Sequence, residues 1–245
     1  MSNAPSEKVA LVLGAGDAIG SAIVRKFAKR GMAVCAARRD ATKLAPLMSE
    51  LTESGLTARA FSCDARKEEA IEALFNEIET DIGEIEVVVF NIGANVPMGI
   101  LETDSRKFFK IWEMACFSGF LSGREAARYM TKRGRGTIIF TGATASVRGA
   151  AGFAAFASAK HGLRALAQSM ARELGPKNIH VAHVVVDAGV DTAWIAENFP
   201  GYEERKAVDG IVNPDDLADN YVMLHEQPRN SWTFELDVRP WDEKW

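Results

Sequence analysis

A glycine-rich stretch near the N-terminus is the first segment whose composition suggests chemistry: Leu13-Gly14-Ala15-Gly16-Asp17-Ala18-Ile19-Gly20. It follows an apolar run at 8–13 and opens an amphipathic run at 18–30. Glycines permit a tight turn that lets the backbone approach a phosphate, and a helix N-terminus offers free N–H groups. This strand–loop–helix pattern predicts a dinucleotide pyrophosphate site. Asp17 would place a negative charge beside that pyrophosphate and weaken its binding.

The residues that follow the second apolar run indicate which dinucleotide would bind. The run at 32–37 ends in Ala37, followed by Arg38 and Arg39. Sites for NAD usually carry an acidic residue here for the ribose 2′-OH, whereas an arginine can receive the 2′-phosphate of NADP. The sequence therefore favours NADP over NAD. The alternative is that both arginines are simply solvated.

Cysteine and histidine spacing gives no metal motif. The three cysteines, Cys35, Cys63 and Cys116, are odd in number, which predicts buried free thiols in a reducing compartment. His180 and His183 are three residues apart on a predicted strand, so they would face opposite sides of a sheet. We expect no metal site.

Apolar and amphipathic runs alternate along the chain and supply the elements that must position these residues. Strands are predicted at 8–13, 32–37, 56–62, 85–91, 136–141, 179–186 and 232–238, and helices at 18–30, 41–54, 67–81, 105–131, 153–174 and 214–225. Several strands are almost entirely apolar, which indicates a parallel sheet covered on both faces. The predicted fold is a Rossmann-type, doubly wound α/β domain of about seven strands. Residues 192–212 are irregular and suit a flexible substrate loop.

Length and composition limit the class of protein. The 245 residues are 47% hydrophobic and 25% charged, which suits a single domain spanning 1–245. The net charge of -4 argues against a nucleic-acid partner. Residues 1–8 are short and polar, without a signal region. No apolar run approaches the ~18 residues of a membrane span. We expect a cytoplasmic protein with no membrane association.

The glycine loop resembles the Thr-Gly-x-x-x-Gly-Ile-Gly loop of the short-chain dehydrogenase/reductase family, with Ala18 for the middle glycine and Leu13 for the threonine. Asn91-Ile92-Gly93 is similar to the family's Asn-Ala-Gly, and the resemblance extends over about 8–192. It implies an oxidoreductase acting on a carbonyl or alcohol. It also implies that the cofactor is held by Gly14, Gly16, Ala18, Ile19, Gly20, Arg38, Asp64 (beside the adenine), Asn91, Gly93 and Lys160.

The resemblance fails at the catalytic positions. The family uses a tyrosine, a lysine four residues later, a serine thirteen residues earlier and an asparagine on the preceding helix. Here Phe156 replaces the tyrosine, Ala143 the serine and Cys116 the asparagine, so that only Lys160 remains. In the family, this lysine holds the nicotinamide ribose and lowers the pKa of the tyrosine.

Three functions remain open. The first is an NADP-dependent oxidoreductase with an atypical proton donor, in which Lys160 supplies a proton through a water. The second is a catalytically silent NADP(H)-binding protein, and the third is a non-redox enzyme that has reused the pocket. Ala for serine and Phe for tyrosine are also the substitutions that an experimenter would choose to abolish activity, so an engineered variant is an alternative. Cys116, Ala18 and Asp187-Ala188 (for the family's Pro-Gly) favour natural divergence instead. The nearby hydroxyl residues are expected to be structural: Thr141, Thr144, Ser146, Ser158 and Tyr202.

Ligand and assembly are indicated only in outline. Residues 142–153 are mostly small, apolar or aromatic, and with Trp194, Phe199 and the tail residues Trp232, Trp241 and Trp245 they suggest an apolar or aromatic small molecule. The same aromatics suit packing or subunit contacts equally well. The resemblance implies a homodimer or homotetramer, and the small side chains within 153–174 would permit close helix packing.

Overall fold

A computed structural model describes residues 7–16, 18–93 and 95–244. Seven strands within these residues form one sheet: β1 Glu7–Leu13, β2 Ala33–Arg38, β3 Ala58–Ser62, β4 Gly83–Phe90, β5 Gly136–Thr141, β6 Ile179–Val186 and β7 Glu235–Val238. Their order is β3-β2-β1-β4-β5-β6-β7, and every neighbouring pair is parallel. The predicted doubly wound Rossmann-type fold is confirmed.

Helices cover both faces of the sheet: α1 Ile19–Lys29, α2 Ala45–Glu53, α3 Glu68–Asp81, α4 Ser105–Trp112, α5 Ser118–Arg133, α6 Ala154–Leu174, α7 Ala193–Asn198, α8 Tyr202–Lys206 and α9 Pro214–Glu226. Alternate residues of β1 enter different cores. Ala10 and Val12 belong to the cluster with α1, α2 and α9, and Leu11 and Leu13 to the cluster with α3, α5 and α6. Burial on both faces explains why the strands are continuously apolar.

The structure corrects three predicted elements. The helix predicted at 105–131 is divided by a π-helical turn at Glu113–Phe117, where the Ser118 hydroxyl donates to the Met114 carbonyl at 2.6 Å. The strand predicted at 232–238 begins only at Glu235, because Trp232 instead stacks on His180 with a ring separation of 4.9 Å. The irregular stretch at 192–212 contains two short helices, α7 and α8.

None of the helices in the described part of the chain has the length and apolar character needed to span a membrane.

Candidate functional site

A cavity of about 490 Å³ opens where β1, β2, β3 and β4 end. Doubly wound sheets bind ligands at this edge, beside the point where the strand order reverses. Six of the predicted cofactor residues line the cavity: Gly14, Gly16, Arg38, Asp64, Asn91 and Gly93. The structure therefore brings together residues that are far apart in the sequence.

The glycine loop is shaped by close backbone contacts. Gly14 has φ +85°, and a Cβ atom there would lie 2.7 Å from the Asn91 carbonyl oxygen. The Asn91 side-chain amide donates to the Gly14 carbonyl at 3.1 Å, which ties the β1 and β4 ends together. Gly16 has no atom within 4 Å of the corresponding position, so its backbone borders open space. This is a cradle of the kind that a pyrophosphate requires.

Three of the predicted cofactor residues, Ala18, Ile19 and Gly20, do not line the cavity. Ala18 precedes α1 and its carbonyl accepts the Ala22 N–H at 3.0 Å. A Cβ atom at Gly20 would lie 2.5 Å from the Gly14 carbonyl oxygen, so this glycine permits α1 to pack against the loop. Asp17, which the sequence placed beside the phosphates, lies outside the described residues.

The β2 end of the cavity is basic. Arg38, Arg39 and Lys43 all line it. Lys43 reaches the cavity because the chain turns sharply at Asp40, whose carboxylate accepts the Thr42 N–H at 3.1 Å and begins a 3₁₀ turn. Lys43 was not identified from the sequence, because the residues between Arg38 and Lys43 do not indicate that the chain turns at Asp40.

The β3 end of the cavity carries an ion pair. Arg66 donates to both oxygens of Asp64, at 2.8 and 2.6 Å, and this guanidinium holds the pKa of the Asp64 carboxyl below its usual value. Arg66 also lies 3.8 Å from Glu113 in the π-helical turn. Asp64 is thus ionised and held in place at the cavity wall. Arg66 is a second residue that the sequence analysis did not single out.

Lys160 lies on α6 with only 3% of its surface exposed. Its ammonium donates to the Thr141 carbonyl at 2.8 Å and to the Ile92 carbonyl at 3.2 Å, so it joins the ends of β5 and β4. Burial lowers the pKa of Lys160 to about 8, because removal from water disfavours the charged form. Lys160 does not line the 490 Å³ cavity, although Ile92 does.

Phe156 and Cys116 lie near this lysine, and Ala143 belongs to the same apolar cluster. They belong to a cluster that we call the apolar floor: Met98, Ile111, Trp112, Ala115, Cys116, Ala143, Ala145, Phe153, Ala155, Phe156, Ala157 and Ala159. The Phe156 ring centre is 5.9 Å from the Lys160 Nζ atom. Cys116 is buried, and burial raises the pKa of its thiol. All three cysteines are free and buried, as predicted.

The five hydroxyl side chains that the sequence predicts to be structural all form hydrogen bonds within the protein. The Thr141 hydroxyl pairs with Tyr221 at 2.8 Å, Ser158 donates to the Ala155 carbonyl at 2.9 Å, and Tyr202 donates to Asp191 at 2.6 Å. Ser146 accepts the Ala143 N–H at 3.1 Å, and Thr144 donates to the buried Asp187 carboxylate. Of this set only Thr144 is both half-exposed and adjacent to Ala143.

His183 lies beneath the Gly142 turn and has no exposed surface. Its Nδ1 atom is 3.0 Å from Glu235, which Arg164 contacts through both carboxylate oxygens at 2.6 and 2.7 Å. Burial lowers the pKa of His183 to about 4. The sequence raised His183 only as a candidate metal ligand, and the described residues contain no group of three or more His, Cys, Asp or Glu side chains that could hold a metal ion.

Comparisons with known proteins agree with this arrangement. A sequence model of the family described as short chain dehydrogenase matches residues 8–202. A 3beta-hydroxysteroid dehydrogenase of Mediterraneibacter gnavus is 31% identical over 204 residues, which cover 82% of this chain and 72% of that protein.

Two solved structures extend the likeness to almost the whole chain. A short-chain dehydrogenase from Rhodopseudomonas palustris is 48% identical, with 97% of this chain and 100% of that chain covered and a TM-score of 0.83. A metagenomic short-chain oxidoreductase in complex with NADP is 28% identical, with 96% and 97% covered and a TM-score of 0.81.

Proposed function

This chain belongs to the short-chain dehydrogenase family of NAD(P)-binding oxidoreductases, and from that premise we propose that it is an NADP(H)-dependent oxidoreductase acting on a carbonyl or alcohol, with Lys160 as its proton donor. The observation that carries the proposal is the placement of Lys160. It is a buried ammonium fixed by two carbonyls at the ends of β4 and β5, with a pKa lowered to about 8. A donor whose pKa lies near the working pH is suited to general acid–base catalysis.

The residues around the cavity fit an NADP molecule. Gly14 and Gly16 would hold the pyrophosphate through their backbone, Asp64 would meet the adenine, and Asn91 and Gly93 would border the nicotinamide side. The basic side chains that we assign to the 2′-phosphate are Arg38, Arg39 and Lys43, because they form the β2 wall. The related oxidoreductase in complex with NADP supports the choice of this cofactor. When bound, NADPH supplies a hydride.

Lys160 has the donor capacity that the proton transfer requires. An ammonium has three N–H bonds, and two are given to the Thr141 and Ile92 carbonyls. In reduction, the third N–H would pass its proton, through a water, to the oxygen of the substrate carbonyl. In oxidation, the neutral amine takes that proton back. Neither direction requires a tyrosine.

The apolar floor limits the rate. Ala143 has no hydroxyl to steady the substrate oxygen, and Phe156 has no proton to give. Loss of one positioned proton donor typically costs about 10²–10⁴-fold in rate, and loss of an oxyanion donor about 10²–10³-fold, although such effects are not simply multiplied. We therefore expect slow turnover of an apolar or aromatic substrate.

The proposal is tested first by titration with NADPH and NADH, followed through quenching of tryptophan fluorescence. We expect both to bind and NADPH to bind more tightly. Oxidation of NADPH is then followed by absorbance with a panel of aliphatic and aromatic ketones and aldehydes. Absence of binding of either cofactor would overturn the proposal. A protein that binds NADPH but never oxidises it would overturn only the catalytic part.

A catalytically silent NADP(H)-binding protein is the second candidate, and the apolar floor is the observation that favours it. The positions that the resemblance aligns with the family's serine, tyrosine and asparagine carry Ala143, Phe156 and Cys116. All three belong to the apolar floor. This candidate predicts tight binding with no turnover in either direction. It also predicts that turnover appears only when Ala143→Ser and Phe156→Tyr are introduced together.

The proposal extends to assembly and location. Exposed aromatic side chains on α4 and α5, including Phe109 and Phe120, suit a homodimer or homotetramer. Light scattering should give twice or four times the chain mass of 26.7 kDa. The three free cysteines are consistent with a reducing compartment, and we propose a cytoplasmic location.

A further inference from the structure

An arginine lies close in the chain to two members of the apolar floor, Ala143 and Ala145. Arg148 follows Ala143 by five residues, and its backbone N–H donates to the Thr144 carbonyl at 3.1 Å. Its guanidinium is 3.4 Å from the Asp187 oxygen that also accepts the Thr144 hydroxyl. One carboxylate oxygen thus connects this guanidinium to the residue beside Ala143. The guanidinium also donates to the Lys244 carbonyl at 3.4 Å, and because the side chain is 45% exposed, part of it remains open to a ligand.

A second arginine approaches from the loop after β6. Arg205 lies on α8, and its carbonyl accepts the Gly210 N–H at 2.7 Å, which fixes the end of that helix. Its guanidinium carbon is 5.7 Å from the centre of the Phe199 ring. The stretch that the sequence predicts to be a substrate loop therefore presents a positioned guanidinium.

The two guanidiniums meet on one carboxylate. Glu243, in the segment after β7, has one oxygen 3.8 Å from Arg148 and the other 3.7 Å from Arg205. The segment is held further by Asp242, 3.2 Å from Arg205, and by Trp241, whose ring N–H donates to the Val208 carbonyl at 2.8 Å. Glu243 thus shows that Arg148 and Arg205 can share one carboxylate; we call this pair the carboxylate cradle.

Glu243 fills the cradle loosely. Both of its ion-pair distances exceed the roughly 2.7–2.9 Å of a charge-assisted hydrogen bond. Ion pairs between partly exposed side chains contribute little to stability, and the three side chains are 45%, 32% and 22% exposed. Asp187 offsets part of the charge of Arg148, but it is itself 3.6 Å from Arg239. A ligand carboxylate that reaches hydrogen-bond distance would therefore displace Glu243.

We propose that Arg148 and Arg205 bind a carboxylate of the substrate, and that Glu243 occupies this cradle in the absence of substrate. The substrates are then carbonyl or hydroxy compounds that carry a carboxylate as well as an apolar or aromatic body. This rests on the proposed function, since it names the substrate class of that same site. The tail segment at 241–244 acts as a tethered competitor of the substrate.

The test compares benzoylformate with its methyl ester, which lacks the negative charge and carries one added methyl group. Each is titrated calorimetrically into protein saturated with NADP⁺, so that no hydride transfer occurs. We expect benzoylformate to bind about tenfold more tightly than the ester. Arg148→Gln and Arg205→Gln should each remove most of that difference. Glu243→Gln should tighten benzoylformate about threefold or more and leave the ester unchanged.

The controls are Arg30→Gln and Glu226→Gln, which break an exposed ion pair of 3.3 Å between α1 and α9. They should leave both probes unchanged. Equal affinity of the two probes, no detectable benzoylformate binding, or no effect of Glu243→Gln would each overturn the cradle. Glu243→Gln lies on the tail and keeps the test valid if an arginine variant fails to fold. NADPH binding is measured on the same preparations, because its loss would indicate failure of the proposed function instead.

Discussion

The 490 Å³ cavity and the apolar floor lie at the same edge of the sheet. They differ in whether backbone or side-chain atoms determine their properties. The cavity depends on backbone: Gly14 approaches Asn91, and Gly16 borders open space. The floor depends on side chains, and there Ala143, Phe156 and Cys116 stand at the positions that the sequence resemblance aligns with the family's serine, tyrosine and asparagine. Backbone contacts tolerate replacement of neighbouring side chains, whereas proton transfer does not.

This difference explains how binding and catalysis can separate within one family. A loop that offers backbone N–H groups to a phosphate does not depend on the side chains of Leu13 and Ala18, which stand where the resemblance has threonine and glycine. A single Phe for Tyr removes the ionisable group altogether. Lys160 lies beside the floor, and its two carbonyl partners come from strand ends that the fold provides in any case.

Removal of Lys160 should have the largest effect. Lys160→Ala is expected to lower kcat/KM for reduction by about 10³-fold, because it deletes the remaining proton donor. NADPH affinity should change by less than tenfold. Kinetic assays and fluorescence titration on the same protein check both values, and an equal loss of binding and turnover would show that the lysine only holds the cofactor.

The pH dependence of the wild-type protein provides a second measure of Lys160. Because its pKa is lowered to about 8, the ammonium is lost as the pH rises through that value. Reduction, which uses the protonated form, should slow above pH 8. Oxidation, which uses the neutral amine, should accelerate over the same range. Profiles that do not change near pH 8 would contradict Lys160 as the proton donor.

Restoring the missing hydroxyls is expected to have the next largest effect. The variant Ala143→Ser/Phe156→Tyr should raise kcat by about 10²-fold, since it returns a proton donor and an oxyanion donor to the floor. Phe153→Tyr places a hydroxyl elsewhere in the same cluster and is the matched control. A variant that folds, binds NADPH and gains nothing would indicate that the floor has been reshaped beyond these side chains.

A fourth prediction addresses the backbone side of the comparison. Gly14→Ala should weaken NADPH binding by about 30-fold, because its Cβ would lie 2.7 Å from the Asn91 carbonyl and its φ of +85° disfavours alanine. Gly31→Ala is the control: its φ is +80°, but no atom lies within 4 Å. Both variants incur backbone strain, so thermal unfolding should shift in both while binding falls only in the first.

The fold was predictable because the strands carry a simple signal. Runs such as 85–91 and 179–186 are apolar on both faces and bounded by helix-length segments, which is diagnostic of a covered parallel sheet. The predicted start of the last strand was the least accurate boundary, because Trp232 and Thr233 are residue types that favour strands. In the structure they are held by contacts with His180 and Gln227 instead. Such long-range competition leaves no local pattern in the sequence.

The site was predictable where backbone geometry or a motif determines it, and not where side chains meet from distant segments. The glycine loop follows from its place between a strand and a helix, and Lys160 follows from the family resemblance. Lys43 depends on a turn at Asp40, and Arg66 on a bidentate pair with Asp64. The partnership of His183 with Glu235 joins positions 52 residues apart. The contact between His183 and Glu235 becomes visible only when β6 and β7 are placed side by side.

The smallest predicted effect concerns the basic wall, where side chains act from the cavity edge. Arg39→Gln combined with Lys43→Gln should weaken NADPH about tenfold and NADH less than twofold, because only NADPH carries the 2′-phosphate. Lys29→Gln, an exposed cation in the last turn of α1, is the control and should change neither. The loss for NADPH should shrink as salt is added, since charges at an open rim are screened. An equal loss for both cofactors would mean that these cations act on the shared pyrophosphate, and NADP preference would then rest on Arg38 alone.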